Sequence, residues 1–343
     1  MREESFRRRG LAKIAKARAS MDRELLQEAG PSVSARLPEI ALLDSAAFTM
    51  ASSAPEAVPS NVATPAGHRR ELTKAARAAR EEEAFAKDRP APERVSAIRR
   101  LSSALIGSKR LTMRLIRLLA DATDELSVRV AALSVLKSAS FFSRTYSSWR
   151  PTFLNALRGV AGAGSSDLVT LAYETLAQEK DGWALERLES GLRDLKIAQV
   201  PAFEAVRFLA YDDHGSHYDV LREIAGQGRN QRVRVAAIRV LAADPEARSL
   251  LLKVLQGPSE PSKVRQAALL SLRVLSPNEY AVEARRILHD DAEQTDVRAA
   301  AITALRVDAA ETGAEAEQKI DELSRSAESD AVRSAANLYF GRG

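Results

Sequence analysis

The sequence predicts an all-α protein, a right-handed alpha-solenoid of about eight helical hairpins that follows an irregular N-terminal arm. Three observations predict it. The stretch Arg232–Leu241, RVRVAAIRVL, returns as SVRVAALSVL from Ser127, KVRQAALLSL from Lys263 and DVRAAAITAL from Asp296. Aligned on the apolar residue after the alanine pair, the copies place Ile98, Leu133, Tyr173, Val206, Ile238, Leu269, Ile302 and Asn337 at successive spacings of 35, 40, 33, 32, 31, 33 and 35 residues. That period has room for two short helices and two turns. Within each copy the valine, the alanines and the leucine fall at helical spacing, and the alanines let a neighbouring helix approach closely. One such helix cannot bury its stripe alone, so stacking of successive copies must supply the core.

Taken in order, the chain opens with Ser5–Ala29, a basic amphipathic stretch with Leu11, Ile14, Met21 and Leu25 along one side. Residues 30–66 are rich in Ala, Ser and Pro and read as a linker or extended arm. Inside that arm Ile40–Met50, IALLDSAAFTM, is apolar enough to dock on a surface. Residues 1–66 are therefore assigned to the arm and residues 67–343 to the repeats. The arm is expected to be dispensable for the repeats and needed for a partner. His68–Lys87 is helical in pattern and is taken as the outer helix of the first repeat.

The repeated stretch is the inner helix of each hairpin. Outer helices are expected at Leu111–Ala120, Trp149–Val160, Trp183–Arg193, Tyr218–Ala225, Pro245–Leu255, Glu279–Leu288 and Ala314–Ser324. Pro151, Pro245 and the Gly257-Pro258 pair serve as start and stop signals. The 40-residue spacing falls at Ser140–Arg150, SFFSRTYSSWR, which is expected to be a surface loop.

The arginine after the valine recurs as Arg129, Arg234, Arg265, Arg298 and Arg333, with Arg94 at the equivalent place in the first copy. A cation in the first turn of a helix opposes the macrodipole, so its return asks for a partner that outweighs this term. An acid in a neighbouring repeat would serve, and Asp121, Asp124, Asp291, Asp296 and Asp330 are the candidates. These arginines are read as an internal structural ladder, with a phosphate-binding row as the other reading.

The V-R-x-A-A-apolar-x-x-Leu helix resembles the inner helix of HEAT repeats, particularly the short bacterial HEAT-like variety, over most of residues 93–343. The fit is strong in Ser127–Leu136, Arg232–Leu241, Lys263–Leu272 and Asp296–Leu305, and weak where Val169 and Ala202 replace the arginine. The resemblance implies a curved helical scaffold that binds proteins or, less often, nucleic acid, and does not imply an enzyme. HEAT-like DNA glycosylases need an aromatic and acidic cleft that neither Trp149 nor Trp183 marks. HEAT-repeat hydroxylases hold iron with His-Glu pairs, which His68 and His289 do not form. Bilin lyases share the repeat, and no residue here identifies a chromophore site.

Composition narrows the chemistry. There is no cysteine, which excludes disulfides, thiol catalysis and cysteine-ligated zinc. Asp212-Asp213-His214 to His217 and Asp219 reads as a polar turn between helices and not as a metal site. No P-loop, dinucleotide fingerprint or nucleophile elbow occurs, so no catalytic residue and no cofactor is assigned. No signal-peptide core or run of about 18 apolar residues is present, so a membrane span is not expected and a cytoplasmic location is the default.

The net charge of +5 is unevenly spread: residues 93–158 carry 12 basic and 4 acidic side chains, residues 159–343 carry 23 and 29. Arg110, Arg114 and Arg117 form one helical stripe opposite Leu111, Leu115 and Leu118, either a solvated face or an anion track. With Arg99, Arg100, Lys109, Arg144 and Arg150 they would meet phosphates or an acidic protein. Phe141, Phe142, Tyr146 and Trp149 lie beside them, mixed with arginines as at binding hot spots. The expected function is a non-catalytic adaptor that binds a protein partner through its concave surface and its arm. Nucleic acid on the basic first repeats is the alternative.

Overall fold

The computed structural model describes residues 78–343, except 106–107, 164–166, 213, 308–311, 328 and 343. The arm of residues 1–66, the boundary near residue 67 and the part of His68–Lys87 before residue 78 lie outside the described residues. The chain is all-α, and among the described residues there is no strand. It divides into two compact units, the first ending at Glu179 and the second starting at Lys180.

In the first unit, helical residues 78–85 precede α1 (Ala91–Arg100), followed by α2 (Lys109–Ala120), α3 (Leu126–Phe142), α4 (Tyr146–Ala161) and α5 (Asp167–Gln178). The second unit holds α6 (Gly182–Arg193), α7 (Ala202–Leu209), α8 (Tyr218–Gln227), α9 (Gln231–Val240), α10 (Arg248–Gln256), α11 (Ser262–Leu275), α12 (Pro277–His289), α13 (Thr295–Val307), α14 (Ala314–Ser326) and α15 (Asp330–Tyr339). Outer and inner helices alternate, and each inner helix packs on its outer partner and on the inner helix of the next repeat within its unit. The alanines of the repeat make this approach close: Ala132, Ala237, Ala268 and Ala301 are fully buried. In α11, Ser271 stands at the contact with α9 and donates its hydroxyl to the Ile238 carbonyl at 3.0 Å.

Turn chemistry sets the helix starts. Ser108 accepts from the Leu111 N–H to begin α2, Asp181 from the Ala184 N–H to begin α6, and Asn230 from the Arg232 and Val233 N–H groups to begin α9. Pro90, Pro201 and Pro261 stand immediately before α1, α7 and α11 in extended conformation. The stretched repeat departs from expectation. Ser140–Arg150 is no surface loop, because α3 runs on to Phe142 and α4 starts at Tyr146, leaving Ser143–Thr145 as the turn. Pro151 sits inside α4 instead of starting it. The acceptor that its missing N–H leaves unused is the Ser147 carbonyl, on an exposed residue where water can serve.

The repeated arginines have one invariant contact. The Nε of Arg94, Arg129, Arg234, Arg265 and Arg298 donates to the carbonyl of Ala84, Leu119, Ala225, Leu255 and Leu288, respectively, near the C-terminal end of the preceding outer helix. Arg333 donates to the Ala327 carbonyl just beyond α14. Each guanidinium therefore sits at the negative pole of one helix while it begins another, which offsets the unfavourable term. In all of them but Arg129 the outer end of the guanidinium then meets a carboxylate. In three cases this lies in the next repeat: Arg94 holds Asp124 through two bonds of 2.7 Å, Arg234 holds Glu260 at 2.7 and 2.9 Å, and Arg265 holds Glu293 at 2.5 and 2.6 Å. Arg298 and Arg333 instead reach Asp291 and Asp330 beside their own helices. Of the other acids considered, Asp121 pairs with Lys87.

The Asp124 carboxyl is held below the usual carboxylate range first by its hydrogen bonds from Arg94, against the opposing effect of burial and with help from the Glu125 N–H. Its native pKa lies below the unfolded value of about 3.9, so its stabilisation is complete above that value and is lost as pH falls through the native pKa. Urea titrations of the full chain and of Asp124→Asn should therefore differ most at neutral pH. The difference is expected to shrink below about pH 4; a constant difference would show that the pair does not drive the acid limb.

Candidate functional site

Two surfaces have the makings of a binding site, one in each unit. In the first unit, Arg129 ties the start of α3 to the end of α2, so the end of α3 lies where α2 begins. Glu81 meets Arg110 and Arg114, and Phe85 lies under Arg114, so residues 78–85 run alongside α2 in the same direction. One edge thus gathers the ends of α1 and α3 and the starts of residues 78–85, α2 and α4. There Phe141 and Phe142 are 77% and 71% exposed, next to the exposed Arg144.

The basic residues expected to bind a partner are not equally available. Arg110 and Arg114 converge on Glu81 at 3.5 and 3.4 Å, and the Arg114 guanidinium stacks 3.9 Å above the Phe85 ring. Arg114 is therefore drawn onto the neighbouring outer helix, whereas Arg110 keeps most of its side chain exposed and Arg117 is exposed. Arg150 is engaged by Glu179, through a 2.7 Å bond to the carboxylate and a 2.8 Å bond to the carbonyl. Trp149, also expected at a binding surface, is a core residue with 1% exposure, packed edge-on against Tyr146 and Phe153. Its spacing with Phe153 and Leu157 turns it inward from α4. Tyr146 is half-buried, and its phenol is pushed above the ordinary range first by burial and then by Glu179. Arg100 donates to the Ser96 hydroxyl, Arg99 is half-buried, and Lys109, Arg117 and Arg144 are exposed.

The second surface was not singled out from the sequence. Inner helices of the second unit leave one face uncovered by their outer partners. On α11 that face carries Lys263, Leu270 and Val274, with the two apolar residues 41% and 43% exposed. On α9 the same register holds Arg232 and Arg239, and the Arg232 guanidinium lies 4.1 Å over the Phe203 ring of α7. The position immediately after the aligned apolar residue runs Arg207, Arg239, Leu270, Thr303 and Leu338 through α7, α9, α11, α13 and α15, and Leu338 is 45% exposed. Neither α9 nor α11 contains an Asp or Glu, although residues 159–343 as a whole are acidic. The signal that could have found this row was the repeat alignment itself, read one residue further along.

The polar turn between α7 and α8 is structural in its contacts. Buried Asp212 accepts from the His214 and Ser216 N–H groups, and His217 Nδ1 lies 2.6 Å from the Glu189 carboxylate. No helix among the described residues is long and apolar enough to cross a membrane.

Neither a family model nor a curated protein matches the chain. Among solved structures it is similar to the complex of CpcE and CpcF of phycocyanin lyase from Nostoc sp. PCC7120, at 17% identity and a TM-score of 0.37, over 85% of this chain and 100% of that one.

Proposed function

We propose that the chain is a non-catalytic adaptor that holds a protein partner on the inner-helix face of residues 202–339. One observation supports this reading above the rest: α9 and α11 put exposed Leu270 and Val274 beside Arg232, Arg239 and Lys263, with no carboxylate on either helix. Exposed aliphatic side chains at helical spacing serve no purpose in the core, and they are what an apolar segment of a partner would cover. The flanking cations select a segment that carries acidic residues around that apolar part. Nucleic acid on the first repeats is the weaker reading, since Arg114 and Arg150 are already engaged by carboxylates.

Affinity purification of the tagged full chain from its native host tests the proposal. One protein should be recovered at low and high salt and should bind at least about tenfold more weakly to Leu270→Glu/Val274→Glu, whose exposed sites leave the fold intact. Recovery of nucleic acid that is released steeply with salt, with no dependence on Leu270 or Val274, would overturn it.

A further inference from the structure

The edge of the first unit has no covering element among the described residues, and the sequence supplies one. We propose that residues 39–50 of this chain, EIALLDSAAFTM, dock in cis on the edge formed by Phe141, Phe142, Arg144 and Lys109. This goes beyond the adaptor reading and rests on a different unit.

Two adjacent phenylalanines with more than two thirds of their surface exposed are costly in water, and a few apolar side chains would relieve that cost. Around them basic side chains predominate. From Val95 to Ser166 the only carboxylates are Asp121, Asp124 and Glu125, all at the opposite edge where α2 ends and α3 begins. The acids near the aromatic edge are Glu81, Glu82 and Glu83 of residues 78–85, together with Glu174 and Glu179. Glu81, Glu174 and Glu179 are matched to Arg110 and Arg114, Lys137, and Arg150. Lys109 and Arg144 have no carboxylate partner among the described residues.

The segment proposed to cover them is complementary. Residues 37–68 contain Glu39, Asp44 and Glu56 and no Lys or Arg, and Ile40, Leu42, Leu43, Phe48 and Met50 cluster within the same dozen residues. It also enters at the right place. Residue 78 stands beside the start of α2, hence at this edge, because Glu81 and Phe85 pair with Arg110 and Arg114. From there to the end of α3 is roughly two helix spacings, about 20 Å. The chain between Met50 and Ala78 spans about 30 Å even as an unstructured coil. Such a tether gives an effective concentration on the order of millimolar, so a segment of modest intrinsic affinity stays docked.

The absence of cysteine makes the test direct. Nitroxide labels on Ala46→Cys and Ser138→Cys, the latter on the exposed side of α3 one turn before Phe142, report the distance by pulsed dipolar spectroscopy in the full chain. The expected result is a narrow distribution, shorter than the about 30 Å of a free coil of this length. It should become broad in Phe141→Ser/Phe142→Ser, whose circular dichroism is unchanged. A broad distribution in the unsubstituted chain overturns the proposal. So does a narrow one that survives loss of both phenylalanines, which places the segment elsewhere. A narrow signal that disappears on dilution with excess unlabelled chain also overturns it, since the occupant is then a second copy.

Discussion

Replacing Arg265 with alanine is expected to destabilise the unit of residues 180–343 by about 3 to 5 kcal/mol. The guanidinium and the Glu293 carboxylate are each only 4% exposed at their side chains, joined by two bonds of 2.5 and 2.6 Å, and Arg265 Nε also satisfies the Leu255 carbonyl. Alanine leaves the buried carboxylate with the Gln294 N–H as its remaining partner and removes the Leu255 carbonyl's side-chain donor. The cost reflects an unpaired buried charge more than the net worth of the pair, so Arg265→Ala/Glu293→Gln should recover part of it. Lysine cannot reproduce the fork and should fall between. Arg117→Ala, at an exposed site on α2, should change stability by less than about 0.5 kcal/mol. Equal and negligible shifts in urea midpoint for Arg265→Ala and Arg117→Ala would contradict the ladder.

Trp149→Ala should cost the first unit a similar amount, about 3 to 5 kcal/mol, through the buried cavity left beside Tyr146 and Phe153. The size of this effect separates a core tryptophan from a binding one. A binding tryptophan would lose partner affinity with an unchanged melting curve. The structure requires the reverse: a lowered melting transition, and partner affinity retained at temperatures where the variant is still folded.

The repeat made the architecture legible because the same few residues recur in most copies. Val, Ala, Ala and Leu dictate a helix with a narrow apolar stripe, and the arginine that follows the valine makes the same contact in each copy that carries it. Its acids were only partly legible. Asp124 was found as a candidate, but Glu260 and Glu293 were not, because a partner 26 or 28 residues away is fixed by the stacking distance and not by local pattern. The stretched repeat was misjudged for a related reason. Ser, Phe, Arg and Tyr around residues 140–150 look like a loop in isolation, yet Trp149 and Phe153 bury one side and carry the helix through Pro151. The surroundings of the stripe on α2 were not legible, since nothing in Arg110 or Arg114 announces that Glu81 and Phe85 will lie against them. The division at Glu179 and Lys180 falls between the two copies in which Val169 and Ala202 stand in place of the arginine.

Hydrogen–deuterium exchange on the full chain with its captured protein partner tests the central claim, that the inner-helix face of α9 and α11 is where the partner binds. Complex formation should slow exchange in peptides covering residues 231–243 and 262–276 and leave those of the outer helices α10 and α12 unchanged. Protection confined to α10 and α12, or to the edge around Phe141 and Phe142, would contradict it.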